Sequence, residues 1–190
     1  MKSLHLTTTF IIFTTIAFTQ KIDYPTQFNE LINQVGIEFY EPADAGYKDI
    51  RPIENEYQEY EFAIWSRKEK LEMRYAILPY DEKDIFSANP HILTARALTS
   101  IATNEEHANN ISAIQLSEEA LKRDFNADWG MVYFFQPKPG FSPFPQCRMV
   151  ALYKEGRGTV LIFHLFVKAD NTALDTRYYA LRFVESEEEN

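Results

Sequence analysis

Apolar residues recur along this chain with two different periods, and the alternation between them predicts the elements. Phe28, Leu31, Ile32 and Val35 fall at i, i+3, i+4 and i+7 behind Tyr24-Pro25-Thr26, one face of a helix that Gly36 is placed to stop. Ile37 to Glu41 then reads as a short strand, and residues 42–52 (PADAGYKDIRP) as a loop with turn chemistry. Tyr57 to Ser66 and Lys70 to Pro79 alternate with period two about a charged Arg67-Lys68-Glu69 turn, which predicts a hairpin. In its second strand Leu71, Met73, Tyr75 and Ile77 share a face, with Glu72 and Arg74 opposite, the pattern of a sheet covered on one side.

A helix is expected from Pro90 to Thr103, with Asn89 at the cap and Pro90 at the first helical position. A second helical piece is expected from Ser117 through Leu121 to Phe125, with Glu118 and Glu119 favourably placed at its N-terminus. Three strands follow: Gly130 to Gln136, Arg148 to Tyr153 and Thr159 to Lys168. Glu155-Gly156-Arg157-Gly158 forms a hairpin turn between the last two. The last strand is apolar on both faces and so belongs in the middle of a sheet. From Asn171 the spacing of Leu174, Tyr178 and Leu181 predicts a closing helix, and Glu185 with Glu187 to Glu189 an acidic tail. The order implies an α+β protein, an antiparallel sheet of about six strands flanked by helices as an α/β/α sandwich.

Composition changes this picture at the N-terminus. Lys2, then the apolar run Leu4 to Phe18 with five threonines, then Ala17-Phe18-Thr19-Gln20, together resemble a secretory signal peptide cleaved after Thr19. The run is shorter than the roughly 20 apolar residues needed to span a bilayer, so no stable membrane anchor is expected. The expected organisation is a signal peptide over residues 1–19 and a single α+β domain over 20–190, exported to the periplasm or the exterior. Cys147, the one cysteine, is far from the cleavage site, which excludes a lipoprotein cysteine and an internal disulfide. It reads as a small buried hydrophobe. The net charge of −9, with no basic stripe, opposes nucleic-acid binding.

Phe125-Asn126-Ala127-Asp128-Trp129-Gly130, leading into a meander and a closing helix, together with Gly36-Ile37-Glu38-Phe39-Tyr40-Glu41-Pro42, resembles the PsbP-like α/β/α sandwich over residues 28 to 184. That resemblance implies a small exported accessory or binding protein and carries over no functional residues.

Candidate chemistry is sparse. His91, His107 and His164 lack the spacing of a metal site, and no cofactor or metal is expected. His164, between Ile162 and Phe166, reads as a core histidine. There is no G-x-S-x-G, no phosphate-binding glycine loop and no H-E-x-x-H. Asp124 and Asp128 are the carboxylates an extracytoplasmic hydrolase would use. Residues 136–146 (QPKPGFSPFPQ) hold four prolines with Phe141 and Phe144, and stiff loops with aromatics are recognition chemistry. The competing arrangement folds both rings back over the open end of the sheet. Tyr47, in the 42–52 loop, is a second binding candidate. The function expected is a non-enzymatic binding or accessory module with a protein or envelope partner. The alternative is the hydrolase.

Overall fold

A computed structural model describes residues 22–105, 110–178 and 180–185. The expected signal peptide, His107 and the end of the acidic tail lie outside the described residues. Among the described residues four helices and nine strands follow in the order α1 (Thr26–Val35), β1 (Ile37–Phe39), β2 (Lys48–Ile50), β3 (Phe62–Ser66), β4 (Leu71–Pro79), α2 (Pro90–Ile101), β5 (Ser112–Gln115), α3 (Glu118–Ala120), β6 (Trp129–Phe135), β7 (Gln146–Lys154), β8 (Gly158–Phe166), α4 (Ala173–Thr176) and β9 (Leu181–Phe183). α3 runs on into a single π-helical turn, Leu121–Phe125. The fold class is α+β. Seven strands form one antiparallel sheet in the order β2-β3-β4-β8-β7-β6-β5, and β1 pairs with β9 in a second sheet of two strands.

Sequence signals explain most boundaries. Gly36 takes the left-handed conformation at φ 68° and its N–H closes α1 on the Asn33 and Ile32 carbonyls. Asn89 accepts from Ile92 N–H at the start of α2, with Pro90 behind it. At the β7–β8 turn, Gly158 has φ 136° and lies so close to Leu78 O that a Cβ there would collide with it. Only glycine fits that position.

The two faces of the large sheet are both covered. On one, α1 and the β1–β9 sheet close over Phe62, Tyr75, Ile162 and Val150. On the other, α2 and the 136–146 segment close over Ala63, Ala76, Met149 and Phe163. β8 is buried at all nine positions, as its double apolar face predicts.

Four expectations are corrected. β4 is not open on one side: Glu72 is 8% exposed and Arg74 3%. They are joined at 2.6 Å, so the polar face is an internal ion pair. Residues 57–61 precede β3 rather than lengthening it, and the 42–52 loop contains β2. The closing helix is a single turn, because Leu181 lies in β9 opposite Phe39. The expected antiparallel sheet of about six strands is present with seven: β2 and Ser112–Gln115 close its two edges, and β1 pairs with β9 instead.

Among the described residues no helix is long and apolar enough to cross a membrane.

Candidate functional site

The Pro/Phe loop is built into the core. Phe141 is 4% exposed and meets Phe163 edge-on, ring centroids 5.4 Å apart. Arg74 lies over the Phe141 ring at 4.9 Å and donates from Nη1 to the Phe141 carbonyl at 2.7 Å. Phe144 is half-buried and stacks on Trp65 at 5.5 Å. Lys138 donates through its backbone N–H to Ile101 O at 2.7 Å and through Nζ to Ser100 O at 2.6 Å, tying the loop to the end of α2. Gly140 lets the loop pass the Tyr57 ring, which a Cβ would meet at 2.6 Å. The rings therefore take the folded-back arrangement at Phe141 and a partly covered one at Phe144.

Tyr47 is 3% exposed, and its hydroxyl donates to Glu69 Oε2 at 2.6 Å. Arg177 binds the same carboxylate from Nε at 2.9 Å and reaches Asp44 from Nη2 at 2.7 Å. Burial opposes the charge on Glu69, but hydrogen bonds from Arg177 and Tyr47 outweigh it and hold the carboxyl below its ordinary value. Burial and the bond to Glu69 push the Tyr47 phenol up. This network pins the 42–47 loop to the β3–β4 turn and to the segment after α4.

The carboxylates proposed for hydrolysis each hold a cation. Asp124 receives Arg123 through Nε and Nη2 at 2.7 and 2.9 Å. Asp128 accepts from Lys154 Nζ at 3.1 Å and from the Glu155 N–H at 2.8 Å, which anchors the β7–β8 turn. The histidines are apart. His91 starts α2 with its ring 4.8 Å from that of Trp129. His164 is fully buried in β8, its ring nitrogens 3.3 Å from Arg148 O and 3.1 Å from Arg177 O. Burial and the Arg148 charge hold the His164 imidazole neutral, well below its ordinary pKa. Cys147 is 1% exposed, and burial raises its thiol. Among the described residues no group of three His, Cys, Asp or Glu is placed to hold a metal ion.

The concave surface lies elsewhere. A cleft of about 640 Å³ opens between Gln27 on α1 and residues 52–61. Asn55 builds its wall, accepting at Oδ1 from Tyr57 and Gln58 N–H at 3.0 and 2.9 Å. Tyr60 fixes the other end by accepting from the Ile53 N–H at 3.0 Å. Glu54, Glu56, Glu59 and Glu61 line the cleft, with Ile53 beside them at 69% exposed and no lysine or arginine in the lining. Glu61 is half-buried and accepts from Ile77 N–H at 2.9 Å; burial raises its pKa. Four glutamates in eight residues, with no basic residue among them, are visible in the sequence from Glu54 to Glu61. Its second half, from Tyr57, reads as the start of a strand, which divides the run and hides it.

No family model, no curated protein and no solved structure matches the chain.

Proposed function

We propose that this protein is an exported, non-enzymatic binding module, and that the cleft beside residues 52–61 takes a cationic ligand with some apolar surface, such as a lysine- or arginine-bearing segment of a protein or envelope component. One observation carries the reading: a concavity of about 640 Å³ is lined by four carboxylates without a cation, and an apolar side chain, Ile53, stands exposed at its wall. A negatively lined concavity concentrates positive ligands and raises their on-rate. The overall charge of −9 acts in the same direction. Asp124 and Asp128 each hold a cation and His164 is buried between two backbone carbonyls, which favours binding over hydrolysis. The layout resembling PsbP-like proteins supports an accessory role, and the apolar leader ending near Thr19 supports export.

Titration calorimetry with a short lysine-rich peptide tests the cleft against a Glu54→Gln/Glu56→Gln/Glu59→Gln variant, which leaves the half-buried Glu61 in place. Binding that weakens with salt and is lost in the variant is expected. Equal binding by both proteins, or none by the wild type, would remove the cleft from consideration. Export is tested separately by the N-terminal mass of the protein recovered from a bacterial envelope fraction, expected to begin at Gln20.

A further inference from the structure

The two edges of the large sheet are finished differently. β2 closes one side with Lys48 and Asp49 exposed and Arg51-Pro52 directly after it. Charges and proline discourage another strand from adding there. β5 closes the other side with Ser112-Ala113-Ile114-Gln115, four exposed residues, none charged and none proline.

The register decides which backbone groups of β5 are unused. Leu116 N–H donates to Gly130 O at 3.1 Å. In the same register Ile114 and Ser112 face Val132 and Phe134. Antiparallel alternation then turns the N–H and C=O of Ala113 and Gln115 away from β6. Among the described residues no strand pairs with that side. Apolar side chains stand beside it, with Ile114 57% exposed and Phe134 36% exposed.

Charge narrows what can cover this edge. Thr103 N–H bonds to Gln136 O at 2.9 Å, so the chain leaving α2 lies along the same edge and delivers Glu105 to one end of it. Glu118 and Glu119 stand at the other end, at the start of α3, with Glu119 paired to Arg123 at 3.1 Å, and all three glutamates are exposed. A second copy paired antiparallel would set the Glu105 end of one chain against the Glu118–Glu119 end of the other. Those contacts are repulsive. An extended segment with apolar residues at alternate positions and Lys or Arg on both sides meets attraction at those ends instead.

We propose that the outer edge of β5 is a docking site for an extended, basic-flanked segment of a partner protein, which adds to the sheet as an eighth strand through the free N–H and C=O of Ala113 and Gln115. The site is separate from the acidic cleft and stands whether or not the cleft binds.

The test measures amide hydrogen exchange residue by residue on the full chain. The probe is a synthetic peptide of alternating valine and threonine with two lysines at each end. Its addition is expected to slow exchange at Ala113 and Gln115 by about tenfold or more, with the cleft residues unaffected. Ala113→Pro removes an outward N–H without breaking a bond to β6 and is expected to abolish the effect. A peptide N-methylated at alternate residues cannot form the ladder and is expected to give no protection, a comparison that needs no variant. Protection by the methylated peptide, protection elsewhere, or none would overturn the proposal. So would equal protection by a glutamate-flanked peptide. Concentration-dependent protection of the same amides without peptide would assign the edge to a second copy and overturn it too.

Discussion

The two faces of the large sheet are held by different physics. Under α1 the contacts are aromatic: Phe28 lies 4.6 Å from Phe62, Phe39 5.1 Å from Tyr75, and Tyr24 5.2 Å from Phe62. Under α2 and the Pro/Phe loop the centre is a guanidinium. Arg74 pairs with Glu72, holds the Phe141 carbonyl, and sits 4.7 Å from the Tyr60 ring as well as against Phe141. Aromatic packing spreads its stabilisation over many weak contacts, so damage to it is graded. A buried charge leaves its partner exposed to the full desolvation cost when it is removed, so damage to it is abrupt.

The largest expected effect on the aromatic face is Phe28→Ala, which opens a void beneath α1 and costs about 4 kcal/mol in denaturant unfolding. Arg74→Ala should cost about 3 kcal/mol, because Glu72 is then buried without its partner. The comparison breaks or holds on the double variant. Glu72→Met/Arg74→Met should recover most of that loss, and a double variant no more stable than Arg74→Ala would show that the ion pair is not what matters there. Phe144→Ala, half-buried on Trp65, should cost about 1 kcal/mol, well below Phe28→Ala.

Acid should separate the faces further. Because the folded state holds His164 neutral, the unfolded chain binds a proton at about pH 6.5 that the folded chain refuses. The stability this contributes is complete above that pH and is lost as pH falls below it. His164→Gln should flatten the unfolding midpoint between about pH 6.5 and 5. The smallest change expected is at Glu61. Burial raises its pKa, so the folded chain keeps a proton there that the unfolded chain releases, and its unfavourable contribution grows as pH rises through the carboxylate range. Glu61→Gln keeps an acceptor for Ile77 N–H and should raise the melting temperature slightly at neutral pH, and not at pH 4.

Elements with local signals were legible in the sequence. Gly36, Asn89-Pro90 and the Gly156–Gly158 turn mark boundaries through backbone geometry that only neighbouring residues decide. β8 was legible because nine consecutive buried positions leave no polar face to misread. β5 and β9 were not, since strands of four and three residues carry too few positions to show a period. At the C-terminus, the spacing of Leu174, Tyr178 and Leu181 fits a helix. The helix stops after Thr176 because Arg177 is drawn to Glu69 and Asp44, and Leu181 is needed opposite Phe39. Arg74 misled for a related reason. A charged residue in alternation reads as solvent-facing unless its partner, here two residues away, is seen to bury with it.

The candidate binding residues show the same limit. Proline and phenylalanine in the 136–146 loop signal rigidity in either environment, and only Arg74, distant in sequence, decides that Phe141 turns inward. Tyr47 is taken inward by Glu69 in the same way.

The pairing of β1 with β9 has a kinetic consequence. Ile37 finds its strand partner only in Phe183, near the far end of the chain, so this ladder closes the longest loop in the sheet pairing. α1 and β1 can form early, but the cover they make over Tyr75 lacks its second strand until Leu181–Phe183 arrives. A ladder between partners so far apart in sequence is expected to form after the local hairpins of the large sheet. A chain ending before Leu181 would keep the seven-stranded sheet and leave β1 without a partner, open to another strand.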